Sequence, residues 1–330
     1  MNNQVKTKTL PGSIVIPGGR TGVLLIHSLG GTPVELRYVA QSLARLGYTV
    51  HCPLLPGLGA NTDISGLSTW QDWYEGVRQA HDTLRESCDT VMVGGLSAGA
   101  MLALKLAADR PGDVQALMLF APTIWPNGWA IPKSLHLFKL VHDRFVARLF
   151  KFSQRAPYGI KDDRIRNFML DSFKGDNRSL EDLFGRGGGM VLEFRRLVKV
   201  VKKELGRITQ HTVIFHPRFD DQSDLKNTML LQRRLGGLVE VAVLDDCYHM
   251  VTLDRQRTYV VDRTVEFAQR VMARIDEQAK LERMKQEAAE QHAGHHAHAG
   301  QQPARRAAEA AGSQKRKLTG ITGGPALAGE

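Results

Sequence analysis

Residues 91–100 read VMVGGLSAGA, an apolar run followed by Ser97, flanked at two positions' distance by Gly95 and Gly99, and then by an alanine-rich stretch. A G-x-S-x-G pattern alone carries little information. Its surroundings decide the reading. A strained strand-to-helix turn needs a buried strand before the serine, a helix directly after it, and neighbours small enough for the two backbones to approach closely. VMVGG meets the first requirement, and Ala98, Gly99 and Ala100, heading AGAMLALKLAADRPG (98–112), meet the other two. The stretch predicts strand, sharp turn at Ser97, helix.

Outward from there, the same alternation repeats. The apolar runs GVLLIH (22–27), YTVHCPLL (48–55), TVMVGG (90–95) and VQALMLFAP (114–122) read as strands. Between them, PVELRYVAQSLARLG (33–47) carries proline at a first helical position and glycine at its end, and STWQDWYEGVRQAHDTLRES (68–87) opens on a Ser/Thr cap. Strands alternating with helical patterns predict an α/β fold with a mostly parallel sheet and helices on both faces. The alternation stops over 123–207 and resumes with HTVIFHPRFDD (211–221), a helix over 223–235, VEVAVLDDCYH (239–249) and a helix from near Arg255.

This pattern divides the chain into a core of 1–122 and 208–291, a helical cap inserted at 123–207, and a tail over 292–330. Within the cap, LHLFKLVHDRFVARLFKF (135–152) and MVLEFRRLVKVVKKEL (190–205) read as amphipathic helices joined by a flexible GRGGG (185–189). The tail, with HAGHHAHAGQQPARRAAEAAG, lacks apolar content and is expected to be disordered; its His292, His295, His296 and His298 read as a solvated low-complexity tract rather than a metal site.

The net charge of +10 is concentrated: residues 123–207 hold 18 Lys and Arg against 9 Asp and Glu. The cap lacks any nucleic-acid reading motif, so no nucleic-acid partner is expected. The opening residues contain no apolar core of signal length and no run reaches membrane-spanning length, so a soluble, cytoplasmic protein is expected, with peripheral contact at the inner face of the membrane through the cap. Cys52, Cys88 and Cys247 are scattered and odd in number, and read as small buried apolar residues.

A serine hydroxyl is a weak nucleophile, and needs a base to take its proton and an acid to hold that base in one tautomer. Asp220 and Asp221 follow the strand HTVIFHPRF, and His249 follows VEVAVLDDCY, so order and position both fit; either aspartate can serve as the acid, with Asp224, Asp245 and Asp246 as remote options. An oxyanion needs backbone N–H donors. Ala98 supplies one, and the glycine-rich loop HSLGGTP (27–33) supplies the other through Leu29. His27 and Ser28 in that loop, and Trp125 and Trp129 in WPNGW, are candidates for contact with substrate. His216, inside a strand, reads as structural.

The pieces LLIHSLGGTP, CPLLPGLGAN, TWQDWYEGV, GGLSAGA, FDDQSD and CYHMVTLD, in that order, resemble the α/β-hydrolase fold, and within it the bacterial carboxylesterase and monoacylglycerol lipase group, whose members are also described as serine aminopeptidase-like. The resemblance spans 13–122 and 208–275 and implies a Ser97, Asp220, His249 triad with Leu29 and Ala98 as oxyanion donors, acting on an acyl ester without metal or organic cofactor. Two departures stand out. Ser28 occupies the position where the group commonly has glycine, and the cap is longer than in the group's small esterases.

Two other functions remain open at this level. One is an acyl thioesterase or acyltransferase using the same three residues, and the other is a non-catalytic acyl-binding scaffold. Acyl chain length, the alcohol and the oligomeric state are not encoded in any of these motifs.

Overall fold

The computed structural model describes residues 10–58, 68–153, 155–171 and 185–318. Its strands are β1 (Ile14–Ile16), β2 (Thr21–Ile26), β3 (Thr49–Cys52), β4 (Thr90–Leu96), β5 (Ala116–Phe120), β6 (Lys151–Ser153), β7 (Gly185–Gly187), β8 (His211–Pro217) and β9 (Val239–Leu244). The helices are α1 (Arg37–Arg45), α2 (Trp70–Arg85), α3 (Ala98–Asp109), α4 (Arg144–Arg148), α5 (Asp163–Asp171), α6 (Gly188–Glu204), α7 (Lys226–Arg234) and α8 (Arg257–Leu318).

Seven strands form one sheet in the order β1-β3-β2-β4-β5-β8-β9. Only β1 runs antiparallel to its neighbour. The expected mostly parallel α/β-hydrolase sheet is thus present. Its central strands are buried on both faces, which is why β4 (TVMVGGL) and β5 (ALMLF) read as continuous apolar runs rather than alternating ones. Helix α3 follows β4 and is buried from Ala98 to Ala108, so it forms the centre of one flanking layer. Helix α2 begins where the sequence signals it: Thr69 accepts the Asp72 N–H on its side chain while the Asp72 carboxylate accepts the Thr69 N–H at 2.7 Å, a reciprocal cap.

The segment between β5 and β8 departs from expectation in two places. Residues 135–152 do not form one amphipathic helix; a 3-10 turn over Lys133–Leu140 is followed by the short α4 and then by β6. Carbonyls that a continuing helix would bond internally are taken by α6 instead: Arg195 donates to the Phe138 oxygen at 2.7 Å and to that of Val141, and Arg196 to that of His142. Asp143 then starts α4 afresh by accepting the Val146 N–H. The ring of Phe138 packs edge to face against those of Phe150 and Phe152 at 5.5 and 4.9 Å, an arrangement that a single helix would not produce.

The glycines 185–189 are not a flexible joint. Gly185–Gly187 pair with Lys151–Ser153 as an antiparallel ladder, and a Cβ on Gly188 would lie 2.1 Å from the Ala147 carbonyl oxygen. Close backbone approach accounts for Gly188, while a Cβ on Gly187 would meet nothing within 4 Å.

Two compact units are resolved, 1–271 and 272–330. The tail expected to be disordered from 292 is corrected over 292–318, where α8 continues as helix to Leu318. Ala, Glu, Gln, Lys and Arg dominate that stretch; they build no core, but they are strong intrinsic helix formers. Residues 319–330 lie outside the described residues, as do Gly59, Ala60 and Asn61 of the CPLLPGLGAN loop and 172–184 of the insert.

Candidate active site

Ser97 sits on the turn between β4 and α3 with φ of 55° and ψ of −112°, a left-handed backbone that a non-glycine residue rarely holds. The turn survives because its neighbours are tiny. A Cβ on Gly99 would lie 2.2 Å from the Ile26 carbonyl oxygen, and one on Gly95 would lie 2.3 Å from the Gly99 backbone. Ser97 is the one partly exposed residue of 91–100. Its Oγ lies 3.1 Å from Thr123 Oγ1, which in turn donates to Ser223 Oγ at 3.2 Å.

Asp220 and His249 meet where the loops after β8 and β9 come together. Asp220 Oδ2 is 2.8 Å from His249 Nδ1 and Oδ1 is 3.1 Å from it. The turn after β8 holds the carboxylate in place: the N–H groups of Gln222 and Ser223 donate to Oδ1 at 2.7 and 2.9 Å. Ser223 Oγ, 3.5 Å from Asp220 Oδ2, closes a hydrogen-bonded path from Ser97 through Thr123 and Ser223 to Asp220 and His249. On the far side of the imidazole, Nε2 is buried and makes no hydrogen bond among the described residues.

Each of the two groups favours the charged form of the other. Burial opposes ionisation of Asp220, but the adjacent His249 outweighs it and holds the carboxyl below the usual range. Burial likewise works against a charged His249, yet Asp220, with Asp221 and Glu35 beyond it, lifts its pKa above the ordinary histidine value.

Of the two candidate acids, Asp220 is the one at the imidazole nitrogen. Asp221 accepts the backbone N–H groups of His249 and Gly159 instead. The remote options are elsewhere: Asp224 receives the Lys226 N–H, Asp245 pairs with Arg218, and Asp246 pairs with Lys161. His216 has both ring nitrogens bonded, Nε2 to the Ser223 carbonyl and Nδ1 to Thr228, with Nε2 also 3.6 Å from Asp220 Oδ2.

The loop after β2 is organised around one peptide plane. The Ser28 carbonyl oxygen receives both His27 Nδ1–H, at 2.9 Å, and the Gly31 N–H, at 3.1 Å. Because the two ends of a peptide unit point in opposite directions, this turns the Leu29 N–H the other way, where it meets no acceptor among the described residues. His27 Nε2 receives the Leu55 N–H, which fixes the neutral Nδ1–H tautomer, and burial pushes its pKa down to about 4. Both ring nitrogens are thus engaged by backbone groups. Ala98 presents the first N–H of α3, which has no partner within the helix.

Ser28 does not face outward either: its N–H and hydroxyl both donate to the half-buried Glu35, at 3.0 Å each. Burial pushes the Glu35 carboxyl up, against these two bonds and the nearby charge of Arg186. Arg186 reaches in from β7 and donates from Nε to the Leu29 carbonyl at 2.8 Å. Trp125 stacks under Lys139, 5.0 Å from ring centroid to Nζ, and Trp129 donates to the Phe219 carbonyl and packs against Tyr248. None of these contacts joins either tryptophan to Ser97. Thr123, Glu35 and Arg186 carried no pattern in the sequence that would single them out. All three cysteines are free and buried.

The family described as serine aminopeptidase, S33, matches residues 19–256. A thermostable monoacylglycerol lipase from Bacillus sp. (strain H-257) is 27% identical over 250 residues, which cover 76% of this chain and 90% of that protein. Among solved structures, the monoacylglycerol lipase of Paleococcus ferrophilus superposes with a TM-score of 0.62 at 15% identity, covering 77% of this chain and 98% of its own. A soluble variant of monoglyceride lipase from Saccharomyces cerevisiae gives 0.61 at 17%, covering 78% and 91%.

Proposed function

The chain belongs to the serine aminopeptidase S33 family of α/β-hydrolases, and from that premise we propose that it hydrolyses carboxylic esters through Ser97, His249 and Asp220. The observation that carries this reading is the buried Asp220–His249 pair, whose Nε2 is unpartnered and which is linked by hydroxyls to a serine on a strained elbow. Ester chemistry follows the lipase relative and the apolar character of the insert.

In this mechanism Ser97 turns from Thr123 toward His249. Its Oγ attacks the acyl carbonyl carbon as Nε2 takes the hydroxyl proton, and Asp220 holds Nδ1–H and stabilises the imidazolium. The carbonyl π electrons move to oxygen, where the N–H groups of Leu29 and Ala98 receive the developing charge. Collapse breaks the bond to the alkoxide, which leaves with the proton from Nε2. Water, activated at the same nitrogen, then releases the acid and restores Ser97.

The insert acts as the cap and meets an anionic lipid surface. Leu137, Leu140, Phe145 and Leu149 are between 71% and 84% exposed. Residues 133–155 carry six Lys and Arg against a single acid, Asp143, which is engaged in capping α4. Beside these side chains, a cavity of about 760 Å³ is lined by Phe138, Phe150 and Phe152 together with Lys151 and Arg155. Exposed apolar residues interleaved with cations are the chemistry of an interfacial lipid contact. Among the described residues no helix is long and apolar enough to cross a membrane.

A panel of p-nitrophenyl esters of increasing chain length, set against the matching acyl-CoA thioesters, tests the reaction. Ester turnover lost in Ser97→Ala supports it. A strong thioester preference reassigns the substrate, and turnover that survives the substitution overturns the reading.

A further inference from the structure

Two buried carboxylates outside the proposed triad grip the same two stretches of chain. Asp221 accepts the Gly159 N–H on Oδ2 at 2.8 Å and the His249 N–H on Oδ1 at 3.3 Å. Asp254, with no exposed surface, accepts four: Tyr248 and Lys161 on Oδ2, both at 2.8 Å, and Asp162 and Arg255 on Oδ1, at 3.0 and 2.9 Å. Between the two carboxylates, the Met250 N–H donates to the Gly159 carbonyl at 2.8 Å. Residues 159–162 belong to the insert and 248–250 are the histidine loop, so the two are laced together from both ends.

The approach is close enough to require glycine. Gly159 has φ of +79°, and a Cβ there would lie 2.8 Å from Met250 Cγ and 3.3 Å from His249 Cβ. Asp221 is a costly choice of fastener, since burial and then the neighbouring Asp220 carboxylate both push its pKa up. A backbone ladder would join two loops without that cost, and it would not fix the peptide unit of His249 to a rigid turn.

We propose that Asp221, through the His249 N–H, and Asp254, through the Tyr248 N–H, are positioning residues that hold the backbone carrying the His249 ring against the insert segment 159–162. The proposal rests on His249 being the general base. It makes the place of Nε2 depend on how that segment is seated. In Asp221→Asn or Asp254→Asn one acceptor oxygen becomes an NH2 that faces an N–H already pointing at it.

The test uses the full-length protein, with active sites titrated by a fluorophosphonate and kcat expressed per titrated serine on a p-nitrophenyl ester. Asp221→Asn and Asp254→Asn are each expected to lower kcat per site by about 10- to 100-fold, with KM nearly unchanged, because small displacements of a catalytic base have effects of that order. Gly159→Ala, which removes no carboxylate, is expected to do the same, and it still reports if an asparagine variant does not fold. A titratable parent whose variants keep kcat per site within about twofold, losing only thermal stability, overturns the positioning role and assigns the clamp to stability alone. A parent with no titratable serine removes the general-base reading and this inference with it.

Discussion

Asp220 and Asp221 are adjacent and both buried, yet Asp220 meets the Nδ1 atom of His249 at 2.8 Å while Asp221 meets only the backbone N–H of the same residue. One carboxylate addresses the ring and its neighbour addresses the chain that carries the ring. Asp220→Asn is therefore expected to lower kcat by roughly 10⁴-fold, because an amide in that place favours the wrong imidazole tautomer. Its loss should exceed that of Asp221→Asn by at least about tenfold. Steady-state kinetics on titrated enzyme checks the ordering, and equal losses contradict the division of roles.

The pH profile follows from the same pair. A protonated imidazole cannot accept the serine proton, and Asp220 holds His249 protonated to higher pH than usual. The acidic limb of kcat/KM is accordingly expected to rise through a midpoint above the ordinary histidine value of about 6.5. In Asp220→Asn burial is left to act with less opposition, so the limb of the residual activity moves to lower pH. A parent midpoint below 6.5 contradicts this sign.

The elbow makes a prediction about stability. A methyl added at Gly99 meets the Ile26 and His27 carbonyl oxygens at 2.2 and 2.6 Å, and neither backbone can yield without parting β2 from α3. Gly99→Ala should cost about 3 kcal/mol or more. Gly112→Ala, where nothing lies within 4 Å, should be nearly neutral. Thermal unfolding of the two variants side by side checks the contrast.

The proposed lipid contact can be tested apart from the proposed chemistry. Co-sedimentation with vesicles containing phosphatidylglycerol should exceed that with phosphatidylcholine alone and should weaken as salt is raised. A Leu140→Asp, Leu149→Asp double variant, changing two residues that are 78% and 84% exposed, should lose binding while keeping turnover of a soluble ester. Undiminished binding of that variant would place the contact elsewhere.

What the sequence disclosed was whatever depends on local signals. Ser97 was legible because a strained elbow demands tiny neighbours, and Asp220 and His249 because both follow continuous apolar strands. The acid stayed ambiguous between Asp220 and Asp221, since a turn's geometry decides which of two consecutive side chains faces the ring. The long helix expected over 135–152 fails because Arg195 and Arg196, more than fifty positions away, take its carbonyls. Arg186 is invisible in the sequence for the same reason, reaching Leu29 from 157 positions away, whereas Glu35 lies only seven positions from Ser28 but carries no motif of its own. The polar atoms of His27 and Ser28, expected to touch substrate, are bonded within the chain to the Ser28 carbonyl, the Leu55 N–H and Glu35.

The central claim is that Ser97 is the nucleophile, and covalent mapping tests it most directly. After treatment with a fluorophosphonate, digestion and mass spectrometry should find one adduct, on Ser97. The adduct should be absent in Ser97→Ala and formed more slowly in Asp220→Asn. No adduct on Ser97, or ester hydrolysis that persists in Ser97→Ala with label on another residue, would contradict the account.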